Sequence, residues 1–203
     1  MPFSSYKTID SVLKEFQVTY TQENFIVETD VEVSSFFRED LEIVMQDGAP
    51  ECSEYAICEN FIYPALREVW KNYRQKFVLW SHKSLNYDEK LSGFPEYILA
   101  QKSPLGNVVF DKPFFILIEA KQDNFEYGWA QCLAEMIAAR ELNERPEQEV
   151  FGIASNGQVW QFGKLKENLF TKHKRFYLIG DLDRLIGAID YIFKQCEQWV
   201  DNK

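Results

Sequence analysis

Apolar residues along the first third of the chain recur at helical spacing in two places. Ile9, Val12, Leu13 and Phe16 form one such stretch within Thr8 to Phe16, and Phe36 to Met45 forms the other. Between them Phe25 to Val33 is β-branched and roughly alternating, which predicts a strand. From Ser53 a longer pattern begins. Ile57, Phe61, Ile62, Ala65, Leu66, Val69 and Trp70 fall three or four residues apart, so a long amphipathic helix is expected with Ser53 as its N-cap. Pro64 lies inside that pattern and predicts a kink or local disturbance.

Phe77 to Trp80 and Pro95 to Ala100 read as short strands, with Ser103 to Asn107 as the turn that follows. Phe114 to Ile118 is an unbroken apolar run, the pattern of a strand covered on both faces in a parallel or mixed sheet. Tyr127 to Leu142 carries Trp129, Leu133, Met136 and Ile137 on one stripe and predicts a second long helix. Val150 to Ser155 and Gln158 to Leu165 flank Asn156-Gly157, a strong hairpin signal. Phe176 to Ile179 is a further short strand. Asp181 or Asp183 then caps a last helix that turns Leu185, Ala188, Ile189, Ile192 and Phe193 inward. Helices alternating with strands predict an α/β fold with a central mixed sheet flanked by helices. Residues 1–52 read as a helical and strand extension, 53–165 as the core, and 166–203 as a closing strand and helix, all within one domain.

Composition adds limits to this picture. A chain of 203 residues, 46% hydrophobic and 16% aromatic with 17 Phe, has the material for a substantial core and excludes a disordered chain. It has no apolar stretch of membrane-spanning length and no secretory leader pattern, so a cytoplasmic protein is expected. Cys52, Cys58, Cys132 and Cys196 include no Cys-x-x-Cys pair, and Cys58 and Cys132 fit helical packing. His82 and His173 have no cysteine or acidic residue at ligand spacing, which argues against zinc and against a histidine-based triad. The net charge of −10 argues against a protein that coats nucleic acid through a basic surface. It leaves room for an enzyme whose acidic cluster holds divalent cations.

The chemistry-bearing candidates sit at strand ends. Glu119 and Lys121 close the apolar run and, two residues apart, share one face of it. A solvated strand end accounts for that pair taken alone. Glu96, at the start of the preceding strand, changes the balance: if the two strands pair as a hairpin, Glu96 and Glu119 converge. Two carboxylates make a hard-oxygen site for Mg²⁺ or Mn²⁺, and the lysine lies beside it. Phosphodiester hydrolysis needs those parts.

Pro95-Glu96 followed by Glu119-Ala120-Lys121 resembles the PD-(D/E)XK motif of the restriction-endonuclease-like superfamily. Ser53-Glu54-Tyr55-Ala56 with Phe61 to Leu66 is similar to the first helix of nuclease domains in type I restriction motor subunits. Gly152 to Phe162 resembles the hairpin after their second helix, so the likeness runs through most of 53–165. It implies a restriction-endonuclease-like core and a Mg²⁺-dependent DNA endonuclease. Glu96, Glu119 and the main-chain oxygen of Ala120 are then metal ligands, and Lys121 orients the attacking water. Glu54 is implied as the first-helix acid that supports the metal or its waters. Gln131 is implied near the backbone phosphates, although a solvated helical face shared with Glu135 explains it equally well. The superfamily most often has aspartate where this chain has Glu96, and it includes inactive relatives. The alternative is therefore a catalytically silent nuclease-fold protein that binds nucleic acid or protein.

Gly163-Lys164 lacks the remaining residues of a phosphate-binding loop, so no ATP-driven motor is expected. Lys164, Lys166, Lys172, Lys174 and Arg175 are the one basic concentration, either a DNA-backbone contact or lysines guarding a hairpin edge. Trp70, Trp129 and Trp160 read as core. The apolar last helix offers a homodimer surface, and a partner protein that supplies specificity is a further expectation.

Overall fold

The computed structural model describes residues 2–122 and 124–202. In chain order a 3₁₀ turn, Phe3–Ser5, precedes α1 (Ile9–Phe16), β1 (Thr19–Glu23) and α2 (Ser35–Asp47). The first long helical region comes next as α3 (Glu54–Ile57), a π-helical turn (Cys58–Ile62) and α4 (Tyr63–Tyr73). Then come β2 (Phe77–Ser81), β3 (Leu85–Asn86), β4 (Ser92–Gly93), β5 (Tyr97–Gln101) and β6 (Phe114–Ala120). The chain continues through α5 (Phe125–Asn143), β7 (Val150–Ser155), β8 (Val159–Lys166), β9 (Leu169–His173), β10 (Tyr177–Leu178) and α6 (Leu182–Asp201).

Among the described residues, eight strands form one mixed sheet in the order β1-β9-β8-β7-β6-β5-β2, with β10 added on β8. The expected α/β class with helices over a central mixed sheet is observed. β6 lies at its heart, antiparallel to β5 and parallel to β7, and all seven of its residues are buried. Such a strand cannot alternate apolar with polar, which is why its sequence runs Phe-Phe-Ile-Leu-Ile. Two apolar clusters follow from the two faces. One gathers Ile116 and Ile118 of β6 with α4 and α6, and the other gathers Leu117 with α1 and α5.

Local chemistry sets the element ends. Thr8, Ser34, Ser53 and Asn124 each accept a hydrogen bond from a first-turn backbone N–H, capping α1, α2, α3 and α5. Pro64 brings the expected local disturbance rather than a kink. It stands in the first turn of α4, and the helical ladder widens into a π turn just before it. Proline has no N–H to give the preceding turn, and the wider turn absorbs the mismatch. In the β7–β8 hairpin Gly157 takes a φ of +87°, and a Cβ there would fall 2.6 Å from the Phe61 ring.

The extension differs from expectation in two respects. Residues 25–33 form no strand, because their polar groups are engaged elsewhere. His173 Nδ1 accepts the Phe25 N–H at 3.1 Å, and Thr29 donates its N–H to the Gly187 carbonyl and its hydroxyl to Asp190 on α6. The strand the extension does contribute is β1, Thr-Tyr-Thr-Gln-Glu, a polar segment that pairs parallel with β9. The basic β8–β9 hairpin is therefore covered along β9 rather than being a free edge. Within it Lys164 pairs with Glu149, and Lys172 lies over the Trp129 ring. Trp129 and Trp160 are core, as expected; Trp70 is only partly buried, its indole N–H donating to the Phe77 carbonyl. No helix of the described residues is long and apolar enough to cross a membrane.

Gly187 is the contact point between 25–33 and α6. In a helix interior Gly→Ala ordinarily gains roughly 0.5–1 kcal/mol. Here a Cβ would sit 2.6 Å from the Thr29 carbonyl oxygen, a backbone atom that cannot swing aside. Gly187→Ala is expected to destabilise the protein by about 1–3 kcal/mol, the range of overpacking in a tight core. Urea denaturation checks it, and an unchanged or raised midpoint would show that residues 25–33 are not firmly docked.

Candidate active site

Antiparallel pairing sets Tyr97 opposite Ile118, and one residue further along the same register places Glu96 opposite Glu119. The two residues thus lie at neighbouring strand ends, near enough for the Glu96 charge to act on the Glu119 carboxyl. Glu119 is 3% exposed and Glu96 is half-hidden at 17%. Ala120 lies between Glu119 and Lys121 at the end of β6, beside Ser155 of β7. Lys121 continues the strand by donating its backbone N–H to the Ser155 carbonyl at 3.0 Å. Its aliphatic stem lies against α5 at Gly128, where a Cβ would approach Lys121 Cγ to 3.2 Å. The glycine thus makes room for the lysine.

Lys121 Nζ then reaches two acids, Glu119 Oε1 at 3.0 Å and Glu54 Oε2 at 2.8 Å. Glu54 is the first residue of α3, placed by the Ser53 cap, so the first helix delivers its acid to the lysine. Glu54, Glu119 and Lys121 are therefore in direct contact, and Glu96 stands opposite Glu119 across the strand pair.

Gln131 and Glu135 correct the solvated-face expectation. Both are buried on α5, at 7% and 1% exposure, and Glu135 lies close enough to Glu119 for each acid to act on the other. One buried oxygen on each, Gln131 Oε1 and Glu135 Oε2, has no hydrogen-bond partner among the described residues. Glu135 is the residue whose place sequence reasoning misjudged, as a solvated neighbour of Gln131. Its four-residue spacing from Gln131 was the available signal, since i and i+4 share a helix face. His82 is an omission, and the expectation that it lacks an acidic neighbour is corrected. Its Nε2 lies 2.7 Å from Glu96 Oε2. β2 pairs with β5, so the residue after Ser81 arrives beside the residue before Tyr97.

The electrostatics follow from burial. Loss of water raises the Glu119 carboxyl from its ordinary 4.5, Lys121 opposes that rise, the Glu96 charge adds to it, and the result is about 7. Burial and the Glu119 charge push Glu135 well above the usual carboxyl range. Burial would lower the Lys121 ammonium, but the charges and hydrogen bonds of Glu119 and Glu54 outweigh it and the net direction is upward. Lys121 is therefore a firm ammonium, a donor rather than a base. The Cys58 thiol touches Glu96 Oε2 at 3.7 Å, and burial beside that carboxylate raises it. Cys58 and Cys132 are buried packing residues, as expected.

The donor set suits a small hard cation. Glu96 and Glu119 offer carboxylate oxygens whose charges repel, and that repulsion is what a dication relieves. Among the described residues no three His, Cys, Asp or Glu side chains are gathered to hold a metal by themselves. Two carboxylates completed by a main-chain oxygen and waters make a different donor set, one that Mg²⁺ commonly takes.

Both buried acids have folded-state values above their unfolded ones. The unfolded chain releases these protons first as pH rises, so their contribution is present below about 4.5 and lost upward, for Glu119 by about 7. Glu135→Gln keeps a donor for Glu119 and removes the acid. It is expected to stabilise the metal-free protein at pH 8 by about 1–3 kcal/mol, the scale of an unsatisfied buried polar group, and to flatten the decline between pH 5 and 8. Denaturant melts across that range test it, and an unchanged slope would show that Glu135 carries no buried proton.

No family model matches the chain, and no curated protein does. Among solved structures, similarity is found to the type IIG restriction endonuclease BpuSI, at 15% identity and a TM-score of 0.46, over 70% of this chain. The chain corresponds to 16% of the length of that endonuclease.

Proposed function

We propose that this chain is a metal-dependent nuclease that hydrolyses DNA phosphodiester bonds. The observation that carries the reading is the position of Lys121, its ammonium held between Glu54 and Glu119 while Glu96 stands opposite at the next strand end. In this reading Glu96, Glu119 and the main-chain oxygen of Ala120 hold Mg²⁺ or Mn²⁺. The bound cation supplies a Lewis acid for the phosphoryl oxygen and lowers the pKa of a water. Lys121, fixed as an ammonium, donates to the attacking water and to the charge that grows on the phosphoryl oxygens. Glu54 aims the ammonium by holding one of its three protons. Glu135, behind Glu119, limits how that carboxylate can turn. The order of these residues along the chain matches the PD-(D/E)XK pattern, from which the DNA substrate and the restriction-endonuclease-like assignment come. Gln131, though buried, lies one turn from Glu135 on the same helix, and its part in binding a phosphate belongs to the same proposal.

A second reading is a catalytically silent relative that binds nucleic acid or a partner protein. It is favoured by the closure of Lys121 onto two carboxylates, which leaves the lysine internally neutralised.

One experiment separates them. The chain is incubated with plasmid and with single-stranded DNA in Mg²⁺ or Mn²⁺, alongside Glu119→Ala and Lys121→Ala. Cleavage by the wild type is expected to fall by about 10²-fold or more in each variant, the scale of losing a positioned acid–base or electrostatic group. Circular dichroism checks that both stay folded. Cleavage that survives both changes removes the proposed site, and an inert wild type favours the second reading.

A further inference from the structure

We infer that His82 is a positioning residue for the site, locking the Glu96 carboxylate into one rotamer so that a single oxygen faces the cation. The inference rests on the reading of Glu96 as a metal ligand. It begins with the backbone. His82 adopts a φ of +49°, in the left-handed region where residues with a side chain are uncommon. Such conformations persist where surrounding contacts over-determine them. Here the contacts are specific. The His82 backbone N–H donates to the Glu96 carbonyl at 2.9 Å, and the ring Nε2 lies 2.7 Å from Oε2 of the same residue. The other ring nitrogen, Nδ1, is 2.7 Å from Ser81 Oγ. The ring also lies 6.0 Å, edge to face, from Tyr97 and 6.3 Å, tilted, from Tyr55, the neighbour of Glu54. Both nitrogens and two sides of the imidazole are thus occupied by groups that fix its orientation.

A glutamate has one more rotatable bond than an aspartate, and an exposed one would sample several positions at a strand end. Glu96 Oε2 is held by His82 and touched by the Cys58 thiol, while Oε1 makes no hydrogen bond among the described residues. The imidazole thus removes the freedom that the longer side chain adds and leaves Oε1 for the cation. Partners of this kind, one bond removed from the metal, commonly set its affinity.

Mn²⁺ titration followed by calorimetry at pH 8 tests this on the full chain, with melting curves to confirm folding. His82→Ala is expected to weaken Mn²⁺ binding by roughly 10–100-fold, the usual loss for an orienting partner. His82→Gln, whose amide N–H can still reach Glu96 Oε2, is expected to bind close to wild type, and Glu119→Gln to lose binding. His82→Ala binding as wild type while Glu119→Gln fails would overturn the role of His82 and leave the site standing. Equal losses in His82→Ala and His82→Gln would make the ring itself a ligand and overturn positioning. A wild-type chain that binds no Mn²⁺, or Glu119→Gln binding unchanged, would overturn the site and the inference with it.

Discussion

The ion pair between Lys121 and Glu119 is the interaction on which the rest of this molecule turns. A carboxylate at the end of a strand buried on both faces is costly, because the interior cannot replace the water it loses. The chain meets that cost with a lysine two residues later, on the same face and 3.0 Å away. Removing the lysine would leave a buried charge with a single hydrogen-bonding neighbour that is itself an acid. The arrangement therefore holds only while the end of β6 stays where it is. That requirement accounts for the rigid surroundings: β5 on one side, β7 on the other, and the Gly128 face of α5 beneath the lysine stem.

Three distant segments converge on that pair. The Ser53 cap begins a helix whose first residue, Glu54, is the lysine's second partner. β2 and β5 bring His82 to Glu96. α5 brings Glu135 to Glu119. The π turn before Pro64 and the positive φ of His82 are two of the places where the backbone departs from its favoured forms. One lies in the helical region that Glu54 opens, the other beside Glu96. A surface cavity lined by residues including Ser84, Tyr87, Phe110 and Glu144 lies away from the cluster, and concavity alone does not mark it. Charge and burial do.

Much of this was legible in the sequence where apolar pattern and burial coincide. β6, α5 and the β7–β8 hairpin follow from an unbroken apolar run, a helical stripe and Asn-Gly. β1 was not legible, because an edge strand of Thr, Tyr, Thr, Gln and Glu has no buried face to pattern. Residues 25–33 misled for the converse reason: their apolar side chains pack against the core, but their backbone bonds to His173 and α6 instead of a strand. β9 and the two-residue pair β3–β4 were passed over because each is short and without alternation. In the site, Glu54, Glu96, Glu119 and Lys121 could be found from spacing and resemblance. Glu135 was hidden because α5 is buried nearly all round, so its polar residues mark no solvent face. His82 was hidden because contact with Glu96 depends on strand pairing, which sequence separation does not reveal.

The acidic balance of the chain, awkward for a protein that meets DNA, looks different once the cluster is counted charge by charge. Glu54, Glu96 and Glu119 bring three carboxyl groups and Lys121 one ammonium, while burial pushes the Glu135 carboxyl upward. The acids outnumber the ammonium, an excess of negative charge that a dication offsets. A cluster so composed, in the proposed function, repels phosphate when bare and admits it once the cation is in place. In the proposed function, the residues that make the chain acidic here are therefore the same ones that tie phosphodiester contact to metal binding. A basic surface would instead grip the backbone with or without the ion.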